Sequence, residues 1–297
     1  MYLGRVEPLG PHKDAVRHVI QARGVEQLFD RSQLALWQVA LQRLQTRQIM
    51  FHELSDHDQT AWLSKLNIDH PDIHIYIDVQ QMIILSFAAR KWTTRSSPIA
   101  SAELQEVLEQ TKQRVHSILA RIGSMEEWMS DLTGSWRPHV LDAENNLDLE
   151  GPFDFGQVRF RCPQYVKYHD AWRGSLWIFH AASQIVLRES LIDLIKYGAT
   201  LQERQEPDAD DEERLRVQRN AVADLCGMII RSYPGFLGVT TIRPNPGLRC
   251  ASQGQMIGRF NSLFSLSVVQ MAKSAPSEHK ETASKVIAWI HSNHGLG

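Results

Sequence analysis

Residues of three kinds stand at spacings that invite chemistry in this chain: histidines near acids, a serine among small residues, and a helix rich in indoles and titratable groups. "HELSDH", His52 to His57, approaches the zinc-protease pattern, in which two histidines four apart project from one helical face with a Glu base between them. The fourth position here is Asp56, and His57 falls one residue out of register, so the pattern fails. His70 and His74 do stand four apart, but Pro71 between them places His70 at a helix cap, where its side chain leaves the helical face. No metal site is expected. "CASQG", Cys250 to Gly254, has the outline of a nucleophile elbow, which requires a strand feeding a helix. The preceding "IRPNPGLR" is a Pro-rich loop instead, and Ser252 reads as a helix N-cap. No phosphate loop or dinucleotide fingerprint occurs, and no cofactor is expected.

The densest chemistry lies in "YHDAWRGSLWIFHAASQIVLRE", residues 168 to 189. His169, Asp170, His180 and Glu189 offer acid–base groups. Trp172 and Trp177, with His180, are the candidate lining of an apolar pocket with polar tips. The competing reading of the same residues is aromatic core packing with hydrogen-bonded histidines.

Helical periodicity dominates the segments that must position these groups. Leu104, Val107, Leu108, Thr111, Val115, Ile118, Leu119 and Ile122 step by three and four, predicting a helix from about Ala100 that Gly123 interrupts. Residues 32 to 51 set Leu34, Trp37, Leu41, Leu44 and Ile49 on one side, with Gln and Arg opposite and Ser32 as N-cap. A long helix is predicted from about Gln164 to Tyr197 with Gly198 as its stop. Two more are predicted at about 252 to 273 and 277 to 293, separated by Pro276, with Ser277 capping the second. Ile73, Ile75, Ile77 and Val79 alternate like a strand, but Pro71 suits a first helical position and the apolar run through Trp92 is too long for one strand. A buried helix is expected there. Gly24 marks a helix-ending turn.

Residues 134–163 hold three prolines and are expected to be a long irregular loop; residues 203–216 are expected to be a charged insertion forming an exposed loop that runs into the next helix, capped by Asp208 or Asp210. The fold class that follows is all-α, a single domain over 1–297 of packed antiparallel helices with long irregular loops. A net charge of −2 supplies no basic field for a phosphate backbone, so direct nucleic-acid binding is not expected. The longest apolar run, near Met82 to Ala89, is too short to span a bilayer, and no membrane partner is expected. Cys162, Cys226 and Cys250 neither pair evenly nor cluster as a zinc site, and read as reduced thiols of an intracellular protein, nuclear or cytoplasmic.

Several stretches together resemble the regulatory, or middle-homology, region of fungal Zn2Cys6 transcription factors. They are "QARG" followed by "LALWQVALQRLQTRQI", "SWRP" at Ser135 to Pro138, the helix around Trp177 to Glu189, and "GQMIGRFNSLFSLSVVQMAKSAP" before a final amphipathic helix. The likeness runs from about His18 to Leu296. Ser183 stands where many members carry Arg, and the six-cysteine zinc cluster is missing, so the resemblance implies a truncated relative without the DNA-binding module. It implies a transcription-factor-like regulatory domain linked to fungal secondary metabolism, acting through a small-molecule ligand or other regulators. Two other readings stay open: an enzyme on the same scaffold that isomerises or cyclises an apolar metabolite, and a scaffold with neither role.

Overall fold

The computed structural model describes residues 31–51, 70–95, 102–142, 153–154, 159–160, 164–202, 207–236 and 263–294. Side chains are described for these except at 31–37, 153–154, 159–160, 234–236 and 293–294. "HELSDH", "CASQG", Gly24, Cys162, Cys250 and the Ser32 side chain lie outside them. The chain is all-α in class, with two small two-stranded sheets. Its contacts divide it into two compact units, Met1–Gln80 and Gln81–Gly297.

The first unit holds α1 (Arg31–Phe51) and the opening turns of α2 (Pro71–Thr93). Leu41 and Ile49 of α1 are buried as expected, but so are Gln38, Gln42, Gln45 and Gln48, which were assigned to the opposite, solvated face. The amide nitrogens of Gln38 and Gln45 have internal partners. Gln38 Nε2 donates to Asp72 Oδ2 at 2.7 Å, and Gln45 Nε2 donates to the Tyr76 carbonyl at 2.8 Å and to Gln80 Oε1 at 3.3 Å. A glutamine joined in this way can be buried at little net cost, whereas an unpaired amide cannot. In α2, Ile73, Ile75, Tyr76, Asp78, Val79 and Gln80 are all buried, as a helix covered on several sides requires. His74 Nε2 lies 3.4 Å from Asp78 Oδ1 and His70 contacts Asp72, so each histidine of the four-spaced pair has its own carboxylate.

The larger unit is built around α4 (Ala171–Leu201), preceded by α3 (Leu104–Asp131) and followed by α5 (Ala209–Phe236), α6 (263–271) and α7 (Ser277–His294). Helix α4 packs against α3 and α5, and α5 also packs against α7. From Gly174 to Ile195 almost every α4 side chain is buried, the signature of a helix enclosed by neighbours. Helix α3 buries Val107, Thr111, Ile118, Ile122 and Met125 along the predicted stripe. Gly123 does not interrupt it; the helix runs on to Asp131, because the stripe continues through Met125 and packing outweighs the helix penalty of one glycine.

Three further expectations are corrected. Gln164–Lys167 forms strand β4, not the start of a helix, pairing antiparallel with β1 (His139–Asp142) in the register His139 to Lys167 and Asp142 to Gln164. Helix α4 begins only at Ala171, where Asp170 Oδ1 accepts the Arg173 amide at 2.8 Å. Gly198 lies inside α4, which continues to Leu201; the apolar run stops at Ile195, but the backbone hydrogen bonds need only helical geometry. Within the predicted loop 134–163, the described residues form a 3-10 turn, Gly134–Trp136, then β1 and the short pair β2 (Phe153–Asp154) and β3 (Arg159–Phe160). Of the two candidate caps of α5, Asp208 takes the role, its Oδ1 accepting the Asp211 amide at 2.9 Å. Most of the charged insertion is therefore the first turns of a helix, faced with the exposed pairs Arg214–Asp211 and Arg216–Glu213. Helix α7 starts at Ser277 as predicted, with the Pro276 carbonyl accepting the His279 and Lys280 amides at 3.1 Å.

Candidate functional site

A helix advances about 100° per residue, so residues three and four apart share a face. Trp177, His180, Gln184 and Arg188 therefore form one row along α4, while Trp172, five positions before Trp177, is turned about 140° away. Trp177 and His180 are buried and come together on the row; Trp172 is half-buried in the first turn and does not join them.

Each member of the row has a hydrogen-bond partner. At its N-terminal end the Trp177 indole N–H donates to the Trp136 carbonyl at 2.8 Å. Trp136 belongs to the 3-10 turn that follows Gly134, whose φ of 60° is the left-handed conformation that glycine adopts without strain. The Arg173 guanidinium lies 5.1 Å from the centre of the Trp136 ring and 3.1 Å from Asp170 Oδ2, fastening the turn to the first turn of α4. One turn further along, Gln184 Nε2 donates to His180 Nδ1 at 3.1 Å and contacts Met129 Sδ of α3 at 3.4 Å.

Arg188 closes the row. Its side chain is 3% exposed, with Nη1 donating to Gln218 Oε1 of α5 at 2.6 Å and Nη2 to Glu126 Oε1 of α3. One guanidinium thus ties three helices together, and its fork geometry allows it to serve two acceptors at once. Glu189, next in sequence and on another face, accepts the Ser274 amide at 2.7 Å.

The reactive groups of the same region are held in unreactive states. Ser183 and Ser190 of α4 donate to the carbonyls of Phe179 and Val186, four residues back, at 2.9 and 2.8 Å. The Cys226 thiol on α5 is completely buried, and burial together with the nearby Glu189 carboxylate pushes its pKa up to about 12, against the weaker opposing pull of Lys280. It is a packed thiol rather than a nucleophile. His169 and Asp170, the remaining candidate acid–base groups, are exposed, with His169 Nδ1 accepting from Arg173 Nη1 at 2.9 Å while Asp170 caps the helix. Among the described residues no cluster of three His, Cys, Asp or Glu side chains is arranged to hold a metal ion. No described helix is long and apolar enough to cross a membrane.

Reading the sequence in isolation missed Trp136, Glu126 and Gln218 as parts of this site. Trp136 carried a signal, since it stands in the quoted "SWRP"; Glu126 and Gln218 look like ordinary polar positions of amphipathic helices. In comparisons with protein-family models, with curated proteins and with solved structures, the chain matches none.

Proposed function

We propose that this chain is a regulatory, ligand-sensing helical module of the fungal transcription-factor type, linked to secondary metabolism and acting through a small molecule or other regulators rather than by contacting DNA itself. The observation that carries this reading is the buried polar row of α4, which joins Trp136 to Trp177 at one end and α3, α4 and α5 through Arg188 at the other. An apolar helix interface tolerates sliding; a hydrogen-bonded one has discrete arrangements, and a ligand that favours one of them shifts the whole set. The nuclear or cytoplasmic setting belongs to the same proposal. Conversion of an apolar metabolite on this scaffold is less well supported, because the hydroxyls of Ser183 and Ser190 and the Cys226 thiol are committed to packing and backbone bonds.

The test joins the full chain to an unrelated DNA-binding module upstream of a reporter and screens apolar metabolites in parallel by thermal shift. A ligand at a hundred times its Kd stabilises by about 2.7 kcal/mol, enough to move Tm by several degrees. A compound that stabilises the wild type and changes reporter output, with both effects lost in Gln184→Ala, is the expected result. If compounds stabilise the protein but leave the reporter unchanged, and mass spectrometry shows them converted, the enzyme reading replaces this one.

A further inference from the structure

On α2 and α3, away from the row of α4, two guanidinium groups converge on one indole with no carboxylate among the described residues to balance them. The Arg114 guanidinium carbon lies 3.6 Å from the centre of the Trp92 ring, and that of Arg95 lies 4.6 Å from it. The ring is fixed in place: Trp92 Nε1 donates to Thr111 Oγ1 at 2.9 Å, and Thr111 in turn donates to the Val107 carbonyl at 2.7 Å. The end of α2 is equally tied down, with the Thr93 and Thr94 hydroxyls both donating to the Arg90 carbonyl, at 3.1 and 2.8 Å. Arg114 spends one nitrogen on the Gln110 carbonyl at 3.0 Å, leaving its other donors directed elsewhere.

Burial lowers the pKa of Arg90, five residues before Arg95, and the carboxylates of Asp193 and Glu189 oppose that shift. Arg114 differs in its charged neighbour. Burial and the neighbouring positive charge of Arg95 both disfavour its charged form. Among the described residues neither Arg95 nor Arg114 has a carboxylate within salt-bridge distance. The indole face attracts each cation by only about 0.5–1 kcal/mol at an exposed site, and does not cancel the repulsion between them. Arg95 is exposed and Arg114 half-buried, so the pair is open to solvent and to a small solute.

We propose that Arg95, Arg114 and Trp92 form a binding site for one oxyanion group of a small molecule, a phosphate or a carboxylate, whose oxygens bridge the two guanidinium groups. Bridging puts a negative charge where two positive ones meet and uses the planar donor fork of each arginine, the arrangement that makes arginine effective for phosphate and carboxylate. Trp92, bonded to Thr111, carries both guanidinium groups on one fixed ring. The proposal is independent of the sensing role assigned to α4.

The full chain, labelled with 15N, is titrated with inorganic phosphate and separately with succinate, at ionic strength held constant with sodium chloride, while the tryptophan indole N–H signals are followed. The Trp92 signal is identified by its loss in Trp92→Phe. Expected is a saturable shift of that signal by one or both anions, weakened about tenfold or more in Arg95→Ala and Arg114→Gln. Arg95→Ala removes an exposed side chain that lies over the ring, so it leaves the fold intact. Saturation by phosphate alone assigns a phosphorylated ligand, and saturation by succinate alone a carboxylate. A shift that merely tracks chloride, or binding undiminished in both arginine variants, overturns the site.

Discussion

Glu126 is an exposed glutamate whose replacement is expected to matter because its partner is not exposed. The Glu126 side chain is 59% exposed and the Arg188 side chain 3%. An ion pair between two exposed side chains contributes about 0–1 kcal/mol, whereas stripping the partner from a buried charge costs about 3–5 kcal/mol. Glu126→Gln lies between these limits. Arg188 keeps its bond to Gln218 Oε1 at 2.6 Å, and water screens the lost carboxylate, but a buried guanidinium loses its one counter-charge. A loss of about 1.5–2.5 kcal/mol follows, the scale of one hydrogen bond to a charged group. Arg188→Met retains the apolar stem and removes the charge, leaving Gln218 Oε1 buried without this donor at about 1–3 kcal/mol. In the double variant the Glu126 replacement adds almost nothing, since its charge no longer has a buried cation to serve. The assay is urea unfolding followed by circular dichroism, with the four proteins treated as a double-mutant cycle. Wild-type stability in Glu126→Gln, or losses that simply add in the double variant, would refute the view that this pair holds α3 to α4.

Three more outcomes follow from the geometry. Gly123→Ala, at a mid-helix position where an added Cβ meets nothing within 4 Å, raises stability by about 0.5–1 kcal/mol in thermal or urea unfolding. Trp177→Phe keeps the ring packing but deletes the donor to Trp136, costing about 1 kcal/mol and increasing amide exchange in the Gly134–Trp136 turn. Cys226 keeps its proton up to about 12 when folded, while an unfolded thiol loses its own near about 8.5. The unfolded state therefore binds fewer protons between these values, and the Cys226 contribution makes stability fall there, by at most about 1.4 kcal/mol per pH unit. Cys226→Ala flattens that slope, and in a Cys162→Ser, Cys250→Ser background native Cys226 resists alkylation at pH 8 that it undergoes in urea.

How much of this was legible beforehand varied with the kind of interaction. The α3 stripe from Val107 to Ile122, the buried character of α2 and the capping of α5 by an aspartate were readable because each depends on residues within a few positions of one another. The start of α4 was misplaced because Gln164–Lys167 is a strand only by virtue of β1, more than twenty residues earlier. The glutamines of α1 were placed opposite the apolar side because their polarity, taken alone, favours water; Asp72 and Tyr76, supplied by α2, make the burial of Gln38 and Gln45 tolerable.

The same division runs through the functional groups. Residue order by itself determined the all-α class and the concentration of indole, imidazole and charge on one helix, since helical period and composition are properties of a segment. The same period put Trp177, Ala181, Gln184 and Arg188 on one stripe. Which of those groups are joined was decided by the tertiary structure, through Trp136, Met129, Glu126 and Gln218 arriving from three other elements. The meeting of Arg95 and Arg114 on Trp92 was decided the same way. Electrostatic and hydrogen-bond energies depend on distance in space and on the surrounding dielectric, and neither is defined until the chain has folded.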